Sequence, residues 1–166
     1  MHAREFPDEE GPGRSACLNL YRRLASGVSV VTALGEQGLT GMTASSVTSV
    51  SLQPPLLLVS LTHQSRTLAA IRARRAFAVH LLRSDQQALA ARFAGTGDPE
   101  AVDQPHHRVV LGAPVLPDVL AWSVCLLVAE HVYGDHTLVI GAVAAAQAGI
   151  GRPLVWHDRA YAELAS

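Results

Sequence analysis

Apolar residues of the 166-residue chain occur in short runs that are separated by polar turns. The runs are rich in β-branched and aliphatic residues, which is typical of strands. They span 28–33, 39–45, 56–61, 76–82, 119–132, 137–146, 154–156 and 160–164. Helical patterns do not alternate with them in a regular way. The pattern therefore favours an antiparallel barrel or Greek key over a parallel sheet.

The helical patterns are few and short. One covers 18–25 and ends at Gly27, and a second covers 65–73. A third helix is predicted to begin at Ser84, with Gln87 three residues later as its partner in a capping box. The predicted fold class is therefore mainly β, with a few short helices.

The composition is apolar, with 49% hydrophobic and 16% charged residues. A chain of this length and composition buries one core, which predicts a single domain over 17–166. Residues 1–16 are polar and are expected to form a disordered tail. Because large apolar patches are uncommon on soluble monomers, we expect part of the apolar surface to be buried between subunits.

Charge and cysteine content exclude several classes of function. The net charge is −1 and no basic stripe is present, so nucleic acid is not an expected partner. The N-terminus has no apolar signal core and no apolar run has the roughly 20 residues of a membrane helix, so we expect a cytoplasmic protein without a membrane partner. Cys17 and Cys125 lack the spacing of metal ligands, and no metal site is predicted.

The segment 41–55 carries six hydroxyl side chains and no charged residue. Its donors and acceptors must be satisfied either by the fold or by a polar ligand. In the first case it is an ordinary strand and turn, because Thr favours strands and Ser satisfies loop backbone. In the second case its hydroxyls and backbone N–H groups hold a phosphate or a polar heterocycle. The residues alone leave both interpretations open.

The turn Gly134-Asp135-His136 joins two long strands and also has two interpretations. Asp and Gly suit a tight hairpin with an exposed His. Alternatively, an imidazole at the mouth of a barrel can donate to a bound heterocycle or move a proton. The sequences typical of dinucleotide-binding Rossmann domains, P-loops and hydrolase elbows are absent, so those chemistries are not supported.

Nine short motifs follow one another in the order that is typical of a known family. They are LASGVSVVT (24–32), GMTASS (41–46), SLQPPL (51–56), SRT (65–67), FAVHLL (77–82), ARFA (91–94), GDH (134–136), IGAV (140–143) and RPLV (152–155). By their order and spacing, the chain resembles the flavin reductase family of the FMN-binding split-barrel fold over nearly its whole length.

The resemblance implies an antiparallel Greek-key split β-barrel that forms a homodimer and holds FMN or FAD at the subunit interface. It implies hydride transfer from NADH or NADPH to the flavin, and delivery of reduced flavin to a flavin-dependent monooxygenase. His136 is the implied catalytic residue, near the isoalloxazine and the nicotinamide. Further implied cofactor contacts are Leu39, Thr40, Gly41, Met42, Thr43, Ser45, Ser46, Ser60, Leu61, Thr62, Arg66, Thr67, Arg92, Phe93, Arg152, Pro153 and Leu154, the last three beside the pyridine nucleotide.

Two positions depart from the family pattern. Val47 stands where the family commonly has an aromatic residue, and His80 stands where it commonly has Asn. These departures motivate an alternative, a flavin-binding split-barrel module without catalysis. A third hypothesis is a structural dimeric barrel with no cofactor. The first hypothesis, a reductase, predicts NAD(P)H oxidation that depends on added flavin.

Overall fold

The computed structural model describes residues 11–95 and 106–164. Within them the helices are α1 (Arg14–Tyr21), α2 (Arg66–Arg74) and α3 (Gln87–Phe93). The strands are β1 (Ser26–Gly27), β2 (Ser29–Gly35), β3 (Gly38–Ala44), β4 (Val47–Leu52), β5 (Pro55–Thr62), β6 (Ala76–Leu81), β7 (Arg108–Val110), β8 (Ala113–Val115), β9 (Ala121–Tyr133), β10 (His136–Ala148), β11 (Val155–His157) and β12 (Ala160–Ala162). No helix in this part of the chain is long and apolar enough to span a membrane.

A seven-stranded antiparallel sheet dominates the fold, in the order β3-β2-β6-β9-β10-β5-β4. Its opposite ends share one core, since Met42 from β3 and Val47 from β4 both pack against the cluster that holds Val59 and Leu61. The sheet therefore curls on itself. The prediction of a mainly β, antiparallel architecture is confirmed, as are the two long strands β9 and β10.

Alternate residues of β2 face two different cores, which explains its continuous apolar run. Val31 and Ala33 belong to the cluster inside the curled sheet. Val30, together with Val28 just before the strand, belongs to a second cluster that includes Leu154, the residue before β11. Burial on both faces removes the polar positions that a half-exposed strand would show. The second core thus attaches the C-terminal residues to the outside of the sheet.

The only turn between β9 and β10 consists of Gly134 and Asp135. Gly134 has φ +55°, a left-handed conformation that suits a two-residue hairpin and that a side chain would disfavour. The two 13-residue strands hold this turn at one end of the sheet. The predicted hairpin is confirmed, and it fixes the position of His136, the first residue of β10.

Two predictions about helices are wrong in detail. Helix α1 begins at Arg14, four residues before the predicted start, and Leu24 is 60% exposed after its end. The helix therefore overlaps the predicted tail, whose residues 1–10 lie outside the described residues, so the tail stays a prediction. The capping box at Ser84 does not form, because α3 begins at Gln87 and the Gln86 side chain accepts from the Arg83 N–H at 2.9 Å.

His80 is fully buried on β6 and joins three segments of the chain. Its Nδ1–H donates to the Val30 carbonyl at 2.9 Å, and its Nε2 accepts from the Leu116 N–H at 3.0 Å. The two partners fix one tautomer, because a carbonyl can only accept and an amide can only donate. Burial lowers the pKa of His80 to about 4. This residue is a structural bridge in the core.

Candidate functional site

Some hydroxyl groups of the hydroxyl-rich segment (41–55) form hydrogen bonds within the fold. Thr43 Oγ1 donates to the Ala90 carbonyl of α3 at 2.6 Å, and Ser46 Oγ donates to the Ser60 carbonyl of β5 at 2.8 Å. Ser45 is exposed, and its hydroxyl has no hydrogen bond within the described residues. Thr43 and Ser46 therefore offer a ligand only their lone pairs, while Ser45 offers both a donor and an acceptor.

Gly41 lies directly under the ring of Phe93. A Cβ at position 41 would come within 2.7 Å of Phe93 Cε1 and 3.0 Å of the Val31 carbonyl oxygen. The close approach places the end of α3 against β3, next to the bond between Thr43 and Ala90. Two motifs that are about fifty residues apart in the chain, GMTASS and ARFA, thus form one continuous surface.

A cleft of about 600 Å³ lies between α2 and the β2–β3 hairpin. It contains Thr40 and the exposed Arg66 at its border, and alanines of α2 at its side. The first turn of α2 is tied to β3, because Ser65 caps Leu68 N–H and its hydroxyl also donates to Met42 Sδ at 3.1 Å. Thr40 and Met42 alternate with Gly41 along β3, so this cleft lies on the face of the strand opposite to the contact between Gly41 and Phe93.

On the other side of Ser45 lie two neighbouring cavities of about 500 and 180 Å³. Ser45 and Trp156 line both of them. Trp156 packs edge-to-face on Tyr161, with 5.1 Å between the ring centroids. Sequence reasoning missed both aromatic residues. The available signal was their position directly after the RPLV motif (152–155), in the predicted C-terminal hairpin.

In the turn between β9 and β10, the side chains of Asp135 and His136 are hydrogen-bonded to each other. His136 Nδ1–H donates to Asp135 Oδ1 at 2.6 Å, and this bond together with the imidazole charge lowers the pKa of the Asp135 carboxyl. His136 faces Thr62 across the β10–β5 ladder, and Leu138 faces Ser60. Ser60 lies two residues before Thr62 on β5 and accepts the hydrogen bond from Ser46. The turn is therefore two residues along β5 from the point where the hydroxyl-rich segment contacts this strand.

His63, which the sequence analysis did not predict as a functional residue, is hydrogen-bonded to this turn. Its Nε2–H donates to the Gly134 carbonyl at 2.9 Å, and its Nδ1 accepts from Thr137 Oγ1–H at 3.0 Å. The His63 N–H also donates to the Asp135 carbonyl at 3.3 Å. Three contacts from one residue fix the conformation of the turn and therefore the position of His136.

Not every predicted contact residue presents a side chain to this surface. Leu61, Thr67 and Leu154 are at most 2% exposed as whole residues, so neither their side chains nor their backbone presents accessible surface to a ligand. Arg152 lies apart from His136, with its carbonyl accepting from the Ser84 N–H at 2.9 Å. A further cavity of about 620 Å³ near Trp122 contains none of the predicted residues.

Similarity to known proteins extends over nearly the whole chain. An FMN reductase (NADH), SmoA, from Agrobacterium fabrum is 37% identical over 167 residues, which cover 97% of this chain and 95% of the relative. The reductase component of a 4-hydroxyphenylacetate 3-monooxygenase from Thermus thermophilus is 38% identical over 153 residues, covering 91% and 97%. The solved structure of flavin reductase PheA2 in its native state superposes with a TM-score of 0.87 and 34% identity, covering 93% of this chain and 100% of that one.

A protein-family model for the flavin reductase like domain matches residues 21–165. That span includes the hydroxyl-rich segment, α3, the Asp135–His136 turn and the C-terminal hairpin. The resemblance noted from the nine motifs is confirmed, and so is the split-barrel fold. This chain belongs to the flavin reductase like family.

Proposed function

We propose that this chain is an NADH-dependent flavin reductase that transfers hydride to FMN or FAD and supplies reduced flavin to a monooxygenase. The observation that carries the proposal is the family match over 21–165, which covers every residue group described above around Gly41, Ser45 and His136. Relatives over nearly this whole length are named FMN reductase (NADH) and monooxygenase reductase component.

The residues present fit a flavin. Gly41 lets the Phe93 ring pack directly on β3, Phe93 adds an aromatic face, Ser45 adds a hydroxyl, and Thr40 adds another in the cleft beside α2. Arg66 borders the cleft at one end, where a phosphate can pair with its guanidinium. The hydroxyl-rich segment therefore has both roles considered from the sequence: Thr43 and Ser46 stabilise the fold, and the segment as a whole is the proposed wall of a ligand site.

The flavin, when bound, accepts the hydride from the nicotinamide, and the protein contributes binding, orientation and electrostatics. The Ser45 hydroxyl, which has no hydrogen bond within the described residues, can donate to the negative charge that reduction would add to the ring. Asp135 holds His136 through Nδ1, which leaves His136 Nε2 to hold or donate a proton. The buried core side chains of Leu61 and Leu154 exclude water from beneath the wall.

The proposed assembly is a homodimer in the cytoplasm, with flavin at the subunit interface. Its support is the outer face of β9, where Leu126, Val128 and Val132 are 45%, 54% and 62% exposed. The neighbouring strand β10 adds Leu138 and Ile140, which are only half-buried. Apolar area of this kind is uncommon on the surface of a monomer. Sedimentation of the full chain at micromolar concentration measures the oligomeric state directly.

A steady-state assay with each flavin and each nicotinamide tests the proposed reaction. We expect oxidation of NADH that depends on added FMN or FAD. The same assay with NADPH compares the two hydride donors. The matched control omits flavin and measures the oxidase background. Flavin binding without oxidation of NADH or NADPH would favour the flavin-binding module without catalysis. If the chain neither bound flavin nor oxidised a nicotinamide, the result would favour the structural barrel without a cofactor.

Replacing Gly41 with alanine is expected to weaken flavin binding about tenfold, or about 1.4 kcal/mol, because the displaced Phe93 ring no longer offers the same surface to the ligand. The new methyl group would lie 2.7 Å from Phe93 Cε1, so Phe93 and the end of α3 must move away from β3. Titration of flavin fluorescence measures the dissociation constant.

The control for this variant is Gly27→Ala, because a Cβ at position 27 meets no atom within 4 Å. It should leave flavin affinity unchanged. Equal affinities of Gly41→Ala and the unmodified chain would show that the contact between Gly41 and Phe93 plays no part in the ligand site.

A further inference from the structure

The cavity near Trp122 is a cleft between the β7–β8 hairpin and the adjoining ends of β9 and β10, and we call it the Trp122 cleft. Its volume is about 620 Å³. Small-molecule sites commonly have volumes in this range, with a few polar groups converging among apolar ones. The lining includes Arg83, His106, Arg108, Asp118, Trp122 and Ile150.

The Trp122 cleft lies far from the Asp135–His136 turn. Trp122 pairs with Gln147 at one end of the β9–β10 ladder, whereas Tyr133 pairs with His136 at the other end. Because a strand rises about 3.3 Å per residue, the two ends are roughly 35 Å apart along the strands. A ligand in the cleft therefore does not compete for the space beside His136.

Hydrogen bonds fix one wall of the cleft. The Asp118 carbonyl accepts from Arg83 Nη1 at 2.5 Å and from Gln86 Nε2 at 3.0 Å. Two residues further on, the Leu120 carbonyl accepts from the Gly149 N–H at 2.7 Å, which ties this segment to the end of β10. The cleft is therefore a built feature of the fold.

The guanidinium of Arg108 is held in place by Trp122. Its Cζ lies 5.2 Å from the centroid of the indole ring, within the range of a cation–π interaction. Stacking uses the face of a guanidinium and leaves the N–H donors at its edge available. Within the described residues, these donors of Arg108 have no hydrogen bond or ion pair, and Arg108 is exposed. The stack therefore presents an oriented fork of donors to an anion.

The charges around the cleft favour an anion with a single negative charge. Arg83 is already paired, with its Nε 3.1 Å from Asp85 Oδ1. The Asp118 carboxylate belongs to the same lining and repels a dianion. With the histidines neutral, Arg108 is the one cation without a counter-ion among the lining residues that the structure describes. The planar fork of an arginine matches a carboxylate.

Apolar residues in the cleft suit a ring attached to that carboxylate. Leu116, Pro117 and Val119 line it together with Ile150. The Ile150 side chain is fully exposed, so no described residue of this chain covers it. Contact with a ring would remove this apolar surface from water, which is favourable. The lining therefore favours a ring-bearing acid over a small inorganic anion.

We propose that the Trp122 cleft binds a small aromatic acid, with its carboxylate on the Arg108 fork and its ring against Leu116 and Ile150. Trp122 acts as a positioning residue for Arg108. The site is independent of the proposed function, since none of the implied flavin or nicotinamide contacts lines it.

Calorimetric titration of the full chain with benzoate tests the site without any turnover. We expect benzoate to bind, and its neutral isostere benzamide to bind about tenfold more weakly or less, because a charge-assisted hydrogen bond is lost. Acetate keeps the carboxylate but lacks the ring, and it should also bind more weakly than benzoate. Absence of benzoate binding, or equal affinities for benzoate and benzamide, would overturn the proposal.

Variants locate the bound acid. Arg108→Gln should weaken benzoate binding about tenfold or more, and Arg108→Lys, which keeps the charge but loses the fork, should lie between. Trp122→Leu should weaken it less than Arg108→Gln, because Arg108 loses its orientation but keeps its charge. Arg23→Gln is the matched control, since its side chain is 74% exposed and does not line the cleft. Arg108 is exposed, so the decisive variant leaves the core intact.

Titration in the presence of saturating FMN separates this site from the proposed flavin wall. We expect the benzoate affinity to stay the same. Displacement of benzoate by FMN, or equal affinity in Arg108→Gln and the unmodified chain, would place benzoate elsewhere and overturn the site. A chain that binds benzoate through Arg108 but does not oxidise NADH would contradict the proposed function and leave the site standing.

Discussion

Replacing His80 with leucine is expected to lower the free energy of unfolding by about 2–6 kcal/mol. The substitution keeps an apolar volume but leaves two buried backbone groups unpaired, the Val30 carbonyl and the Leu116 N–H. Each such group costs about 1–3 kcal/mol when it loses its partner. Urea denaturation followed by circular dichroism measures the change.

The matched control is His80→Asn. An amide side chain carries both a donor and an acceptor, so it can retain at least one of the two hydrogen bonds. We expect it to lose less than half of the stability lost by the leucine variant. If both variants were as stable as the unmodified chain, the bridge from β6 to Val30 and Leu116 would contribute nothing measurable.

His80 also predicts a loss of stability in mild acid. Burial holds its pKa at about 4 in the folded chain, below the ordinary value of 6.5. The unfolded chain therefore takes up a proton first, and the stability present above pH 6.5 declines as the pH falls toward 4, by about 3 kcal/mol in total. His80→Asn should show a shallower decline over the same range, and parallel curves would assign the acid sensitivity to other groups.

Replacing His136 with alanine is expected to lower kcat about 100-fold, the low end of what a positioned acid–base group contributes. Flavin affinity should change much less, since the wall around Gly41 and Ser45 is untouched. The reason is the geometry of the turn, where Asp135 holds His136 through Nδ1 at 2.6 Å and leaves Nε2 available. Stopped-flow measurement of flavin reduction separates this step from flavin binding.

Two further variants make the result specific to His136. His131→Ala removes an exposed imidazole from the neighbouring strand β9 and should leave kcat unchanged. His63→Ala removes the contacts to Gly134 and Thr137 and should lower kcat less than tenfold, because the turn loosens while the His136 imidazole remains. An unchanged rate of flavin reduction in His136→Ala would remove His136 from the mechanism.

The hydroxyl-rich segment shows why local sequence could not separate structural from ligand-binding roles. Six hydroxyl side chains in a segment without charged residues predict hydrogen bonds either within the fold or to a ligand. The two cases have the same amino-acid sequence pattern. The partners decide between them. Thr43 meets Ala90 and Ser46 meets Ser60, contacts across 47 and 14 residues, while Ser45 meets none in the described chain.

His136 and Arg152 show the same limit for the predicted site. The sequence placed His136 in a hairpin turn because Gly and Asp strongly favour one, and the structure has that turn. It also placed Arg152 beside the pyridine nucleotide by resemblance, and that contact stays a prediction, since the structure sets Arg152 against Ser84. A sequence motif specifies which residue is present, but strand pairing and packing determine which other residues it contacts.

By itself the sequence determined most of the strands, though not β7 or β8, as well as the β9–β10 hairpin and the family, because β-branched runs, turn residues and ordered motifs are local properties. Only the tertiary structure decided which segments meet: His63 with Gly134, Phe93 with Gly41, and Arg22 with Ser45 and Trp156 in one cleft. The physical reason is that strand order β3-β2-β6-β9-β10-β5-β4 is set by long-range antiparallel pairing and by burial in shared cores. Those energies depend on residues far apart in the chain, and no local pattern contains them.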